Sequence, residues 1–354
     1  MPIDGKTLMH GQFARKMVIA AGIAAIVVSL VVLVFFVARP LMVIFAGVLL
    51  AVLLRALTDL VHRYTKIPCG IALWTVVATL LIGIGGFSWF VASQAAGQFE
   101  QLGAGLVEAW KRVEEFIAQY GWGRVALEQI ADGGLPKGSA NIVARITGNI
   151  ASALSILIVS VFLGLYVAVN PQLYKRGVLR LFPVAQRERA GDIMDKMGIV
   201  LRGWLLGTVF NMFIIGTMTA VGLWLLGIPM ALALGIVAFF LEFIPYLGPI
   251  LSAVPALLIA SSIGTSEVVY TALFYWAVQS TEGYLLAPLV YQRSVDLPPA
   301  LTLGAQIITG SLFGVLGIIF ATPLTACALV FVQEAYVEDA LGDPVQSEPE
   351  RASG

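Results

Sequence analysis

The chain has 354 residues, 59% hydrophobic and only 12% charged, with 21 basic residues balanced by 21 acidic ones. A soluble domain averages ~25% charged and ~45–50% apolar residues, so a water-soluble globular fold is excluded, and the zero formal charge gives no footing for a nucleic-acid partner or an acidic substrate. The two separate thiols, Cys69 and Cys327, speak against a disulfide framework or a cysteine metal site.

Apolar runs long enough to cross a ~30 Å hydrocarbon layer predict spans at 17–37, 41–57, 70–91, 148–169 and 203–226. A long apolar region at 229–263, a span at 267–287 and a second long region at 298–333 follow. The expectation is an all-α polytopic membrane protein. The first run is too long for a signal-peptide core and has no clean small-residue cleavage site after it, so it reads as a retained first helix.

Residues 92–147 are not apolar enough to span. Phe99, Leu102, Leu106, Trp110, Val113, Phe116 and Ile117 recur at helical spacing, which predicts a small helical insertion outside the cytoplasm, closed by the loop at 132–139. Residues 170–202 open with Asn170-Pro171 and read as basic amphipathic helices on the cytoplasmic surface. The segment after Gln333 is acidic and contains Pro and Ser, the composition of a solvated, disordered tail. The expected divisions are therefore 1–91, 92–147, 148–169, 170–202, 203–333 and 334–354. Thirteen Lys and Arg residues share one side if 17–37 and 41–57 form a hairpin and 70–91 and 148–169 each cross once. Basic residues are retained in the cytoplasm, so both termini are expected there, in a bacterial inner membrane.

The two long regions differ from ordinary spans. At 35 and 36 residues each would be ~50 Å long as a straight helix, and each holds helix breakers. The first has Pro245-Tyr246-Leu247-Gly248-Pro249 and then Pro255; the second has Gly310, Gly314 and Gly317, then Pro323. At an offset of 69, Pro229, Ala231, Leu232, Leu234, Gly235 and Gly248 fall on Pro298, Ala300, Leu301, Leu303, Gly304 and Gly317, the pattern of an internal duplication. Paired, interrupted hydrophobic segments point to a transporter's binding site. Each region either crosses once as a broken helix or turns back as a re-entrant hairpin.

Several polar side chains sit within these runs. Glu242 lies in an apolar stretch, where a carboxylate is costly unless protonated, paired or facing water; it can serve proton exchange or cap backbone freed by Pro245. Gln279 and Glu282 are three apart and share a helical face, fit to line a polar path or hold a cation through oxygen ligands. Asn211 suits interhelical hydrogen bonding or solute contact. Tyr246 suits a gate or the interface, and Gly248, Gly317, Pro249 and the Gly310/Gly314 pair suit close helix packing or solute approach. His-Glu-x-x-His, Gly-x-Ser-x-Gly and nucleotide-binding Gly-x-x-x-x-Gly-Lys patterns are missing, so neither an enzyme nor a cofactor is expected, and transport would be passive or driven by an ion gradient.

The blocks Leu201-Arg202-Gly203-Trp204-Leu205-Leu206-Gly207, Phe243-Ile244-Pro245-Tyr246-Leu247-Gly248-Pro249-Ile250, Gln279-Ser280-Thr281-Glu282, Leu312-Phe313-Gly314-Val315-Leu316-Gly317 and Ala321-Thr322-Pro323-Leu324 resemble the autoinducer-2 exporter family of bacterial membrane proteins. The likeness covers about residues 15–335, with a departure at Thr208, where family members often carry Gln. It implies about eight membrane helices and a homo-oligomer, a pentamer being one candidate. It also implies secondary transport: export of autoinducer-2 in some members, sodium/proton antiport in others. The partners implied are membrane lipids, a small polar solute, Na⁺ and H⁺.

Overall fold

Apolar runs separated by short polar or proline-bearing connections fold into helices alone. The structure, a computed structural model, describes residues 37, 40–95, 97–106, 108, 155–286 and 297–342, with no strand among them. Four described helices are long and apolar enough to cross a membrane, at Pro40–Thr65, Cys69–Ser93, Val184–Leu225 and Val315–Glu338, and the bent pair Ser155–Val169 and Pro171–Leu179 would make a fifth. The chain is an all-α, multi-pass membrane protein. Most of the span read at 17–37, most of the 92–147 insertion, the start of the span at 148–169 and the end of the tail lie outside the described residues.

Helix α1 (Pro40–Thr65) and α2 (Cys69–Phe90) join at Pro68. With α4 (Ser155–Val169) they bury Ala51, Leu54, Leu73, Val76 and Ala168. The α1–α4 crossing is tight because both helices carry glycine there: a Cβ on Gly47 would stand 2.8 Å from the Leu163 Cβ, and one on Gly164 2.9 Å from the Gly47 carbonyl oxygen. Between these helices in sequence lies α3, at residues 97–106, whose apolar residues Phe99, Leu102 and Leu106 do share a face and pack into the core around Leu223, Ala233 and Ile259.

Asn170 then caps α5 (Pro171–Leu179), its side chain accepting from the Leu173 amide while Pro171 fills the first helical turn. The result is an 89° bend between α4 and α5. Helix α6 (Arg187–Leu225) runs 39 residues without interruption, so no helix break falls at residue 202.

In both long regions the chain turns back on itself. Helix α7 (Ala231–Leu241) and α8 (Leu247–Ser261) are separated by the turn 242–246. Helix α10 (Pro299–Phe313) and α11 (Val315–Phe331) are separated by Gly314, whose φ of 67° favours glycine. The arms are antiparallel and close. A Cβ on Gly248 would lie 2.0 Å from the Leu241 carbonyl oxygen, and one on Gly317 2.0 Å from that of Thr309. The Thr309 hydroxyl donates to the Gly317 carbonyl at 2.8 Å, stitching the second pair. The second arm is longer than a half-span, because α11 continues as a π-helix, Val332–Glu338. Between the hairpins stands α9 (Thr265–Thr281), the span expected at 267–287, prolonged by a π-helical segment, Glu282–Leu286.

Pro255 and Pro323, read from sequence as further breaks, instead lie inside continuous helices. A proline in a helix withdraws the donor to the carbonyl four residues before it, here that of Leu251, and such a loss is tolerated where protein packs around the helix. The neighbouring carbonyl, that of Ser252, accepts the Tyr275 hydroxyl of α9 at 3.1 Å. Pro323 is wholly enclosed, flanked by buried Ala321, Thr322 and Ala326.

At the charged end of α6, Glu334 receives both Arg189 (3.1 Å) and Lys196 (2.5 Å), while Arg189 also holds Glu338 and Asp339. Arg202 meets Asp59 of α1 at 2.5 Å.

Candidate functional site

The turn between α7 and α8 exists because Pro245 cannot continue the helix hydrogen-bonding pattern. Tyr246 follows with φ 65° and ψ −49°, a sparsely populated conformation for a residue with a Cβ, at a cost of order ~1–3 kcal/mol. The outcome is that Glu242, at the end of α7, points inward and is only 5% exposed.

Its partner comes from the middle of α6. Asn211, 2% exposed, donates through Nδ2 to Glu242 Oε1 at 2.8 Å and to Glu282 Oε1 at 3.0 Å. Both hydrogens of one amide are thus used on two carboxyl groups, which can be no farther apart than those two bonds end to end. Glu282 opens the π-helical segment after α9, and its other oxygen accepts from Gln279 Nε2 at 2.8 Å, the contact their three-residue spacing predicts. π-Helical turns recur at functional sites because they swing one side chain out of helical register.

The four residues form a graded series. Gln279 is exposed, Glu282 half-buried, Asn211 and Glu242 buried. Two carboxyl groups this close in an apolar surrounding cannot both remain charged without a counter-charge; a shared proton or a bound cation supplies it. Asn211 Oδ1, buried, has no hydrogen-bond partner among the described residues, so one further oxygen is available at the same place.

The second hairpin reaches this turn through a residue the sequence reading passed over. Gln306 of α10, 2% exposed, donates through Nε2 to the Pro245 carbonyl at 2.9 Å. A lone amide within a nearly uninterrupted apolar segment was the available signal. Thr208, one turn before Asn211, is also buried, and its hydroxyl has no hydrogen-bond partner among the described residues. Trp204, on the same helix, packs edge-on against Phe243 with ring centres 5.4 Å apart.

The other expected pathway residues sort differently. Pro245, Tyr246, Gly248 and Pro249 belong to the turn or to the first turn of α8 that follows it. Gly310, Gly314, Gly317 and Pro323 shape the second hairpin, and no hydrogen bond among the described residues joins them to the carboxyl cluster. Gly310 is a packing position: a Cβ there would meet the Ile318 side chain at 2.7 Å.

A family model described as AI-2E family transporter matches residues 23–337. The chain is 34% identical over 175 residues to the Bacillus subtilis protein named "Putative transport protein YrrI", covering 48% of each. It is 26% identical over 197 residues to the B. subtilis "Putative transport protein YueF", covering 56% of this chain and 53% of that one. Against "Putative permease PerM" of Escherichia coli the identity is 27% over 184 residues, covering 50% and 52%. The matches span about half the length of these curated relatives.

Proposed function

The chain belongs to the AI-2E family transporters, and we propose that it is a secondary transporter of a bacterial inner membrane, with both termini in the cytoplasm, whose coupling step is exchange of a proton and a cation at Glu242 and Glu282. The observation that carries this reading is the single amide of Asn211 held between two carboxyl groups, one buried and one reachable from outside the core. A proton taken up by Glu282 from the exposed side passes directly to the Glu242 carboxylate beside it, while the amides of Gln279 and Asn211, which relay no proton, hold the two carboxyl groups in place. A sodium-sized cation in the same place would take its oxygens from the two carboxyl groups and Asn211 Oδ1. The sequence has no nucleotide-binding loop, which leaves an ion gradient or passive flow, and the carboxyl pair favours the gradient.

The cargo we assign is a small polar solute of the autoinducer-2 kind, exported against the ion, or the cation itself in Na⁺/H⁺ exchange. Buried polar side chains beside the turn, Thr208 and Gln306, suit a solute that needs hydrogen bonds rather than apolar contact. The competing reading is an uncoupled facilitator. A membrane scaffold has no use for a buried carboxyl pair beside a strained turn.

Flux into proteoliposomes under imposed Na⁺ and pH gradients, with native protein and Glu242→Gln, is the test. Gradient-driven flux that collapses in the variant is expected. Flux indifferent to both gradients and unchanged by the substitution overturns coupling.

A further inference from the structure

Outside the transport core the most unusual surface is the stretch from Asn170 to Arg187. It contains Lys175, Arg176, Arg180 and Arg187 and no acidic residue; the first is Glu188. Because α5 leaves α4 at 89°, an α4 that crosses the bilayer lays α5 along its surface. One side of α5 is taken by the protein itself: Lys175 pairs with Asp195 of α6 at 2.6 Å, and Leu179 lies against Gly191.

The remaining sides bear two kinds of group. Leu173, Tyr174, Val178 and Phe182 are exposed, and Leu181 and Val184 are 83% and 77% exposed, more bulky apolar surface than a water-facing segment of this length tolerates. Among them, Arg176 and Arg187 are held in place through their own backbone neighbours. Arg176 Nε donates to the Gln172 carbonyl at 3.1 Å, and Arg187 donates to the Phe182 carbonyl at 3.1 Å and to that of Arg180 at 3.5 Å. None of Arg176, Arg180 and Arg187 has a carboxylate partner among the described residues. Carbonyl contacts orient a guanidinium without neutralising it, so its charge remains available to an anion. An apolar rim with uncompensated arginines is the make-up of a segment lying at the headgroup level.

We propose that residues 170–187 form a docking surface for anionic phospholipid headgroups, with Arg176, Arg180 and Arg187 meeting the phosphates and Leu173, Leu181 and Val184 entering the acyl boundary. The inference stands independently of the transport reading. Its consequence is that the lipid composition of the leaflet bears directly on the start of α6, the helix that carries Asn211.

The test is photo-crosslinking of the full chain in bilayers that mix phosphatidylcholine and phosphatidylglycerol, with a photoactivatable analogue of one lipid or the other, reading the yield on the 170–187 peptide by mass spectrometry. The phosphatidylglycerol yield should exceed the phosphatidylcholine yield, and the ratio should fall as salt is raised. Each Arg→Gln change at 176, 180 or 187 should lower the ratio by up to about fivefold, the equivalent of ~1 kcal/mol per surface cation. The triple Arg→Lys variant should keep it, which separates charge from folding. Equal yields from both lipids in native protein, or a triple Arg→Gln variant that keeps the native ratio, overturn the proposal.

Discussion

Gly248→Ala is the most incisive substitution available, because the structure states what the added methyl would strike. Its Cβ would sit 2.0 Å from the Leu241 carbonyl oxygen, 2.7 Å from that carbonyl carbon and 3.3 Å from the Glu242 nitrogen, where ordinary contact begins at 3.4 Å. The obstacle is backbone and cannot rotate away, so the arms of the first hairpin must part by more than an ångström. Inserting a methylene into a packed interior costs ~1–3 kcal/mol, and rigid opposition puts this case at the upper end, about two powers of ten in an equilibrium constant. The displaced peptide is the one that precedes Glu242, so the bond from Asn211 should break as well. The assay pairs thermal unfolding in detergent with gradient-driven flux in proteoliposomes. A comparison variant, Gly83→Ala, adds a methyl with nothing within 4 Å and should leave stability unchanged or raise it by up to ~1 kcal/mol. If Gly248→Ala melts and transports like native protein, the close crossing of α7 and α8 is not as described and the reasoning fails.

Asn211→Leu, similar in size, removes the amide that bridges Glu242 and Glu282; a stability loss of ~1–3 kcal/mol and abolished flux are expected, and native flux would remove the amide from the mechanism. Gln306→Leu frees the Pro245 carbonyl at ~1 kcal/mol and should slow turnover at unchanged solute affinity, measured by flux and equilibrium binding side by side. Glu334→Gln should lower the melting temperature more than Asp195→Asn. Glu334 is nearly buried between two cations, whereas Asp195 is in an exposed pair worth ~1 kcal/mol at most; equal losses across a salt series would contradict that ranking.

Much of this was legible from residue order. Length and helix breakers marked 229–263 and 298–333 as broken. The offset that places Gly248 on Gly317 picks out two residues that do the same physical work, each letting a returning arm cross a carbonyl of the departing one. The Gln279–Glu282 contact follows from helical spacing alone. What sequence order could not supply was anything that depends on three segments meeting. Pro255 and Pro323 read as breaks because proline removes a helical donor; that both helices run on depends on packing by other segments, with Tyr275 bonded to the turn before Pro255 and Pro323 fully enclosed. Asn211 read as interhelical bonding or solute contact, and it is a bonding residue, but nothing local said that both of its bonds end on carboxyl groups. Gln306 was overlooked for a similar reason, since its partner is a backbone oxygen 61 residues away.

The charged cluster at Glu334 is a clasp between the last described helix and the helix that carries Asn211. With Arg189 and Lys196 paired there, the π-helical extension of α11 is bolted to the beginning of α6. Helix α6 is therefore held at two places, near its start by that extension and in its middle by Asn211, which bonds Glu242 and Glu282.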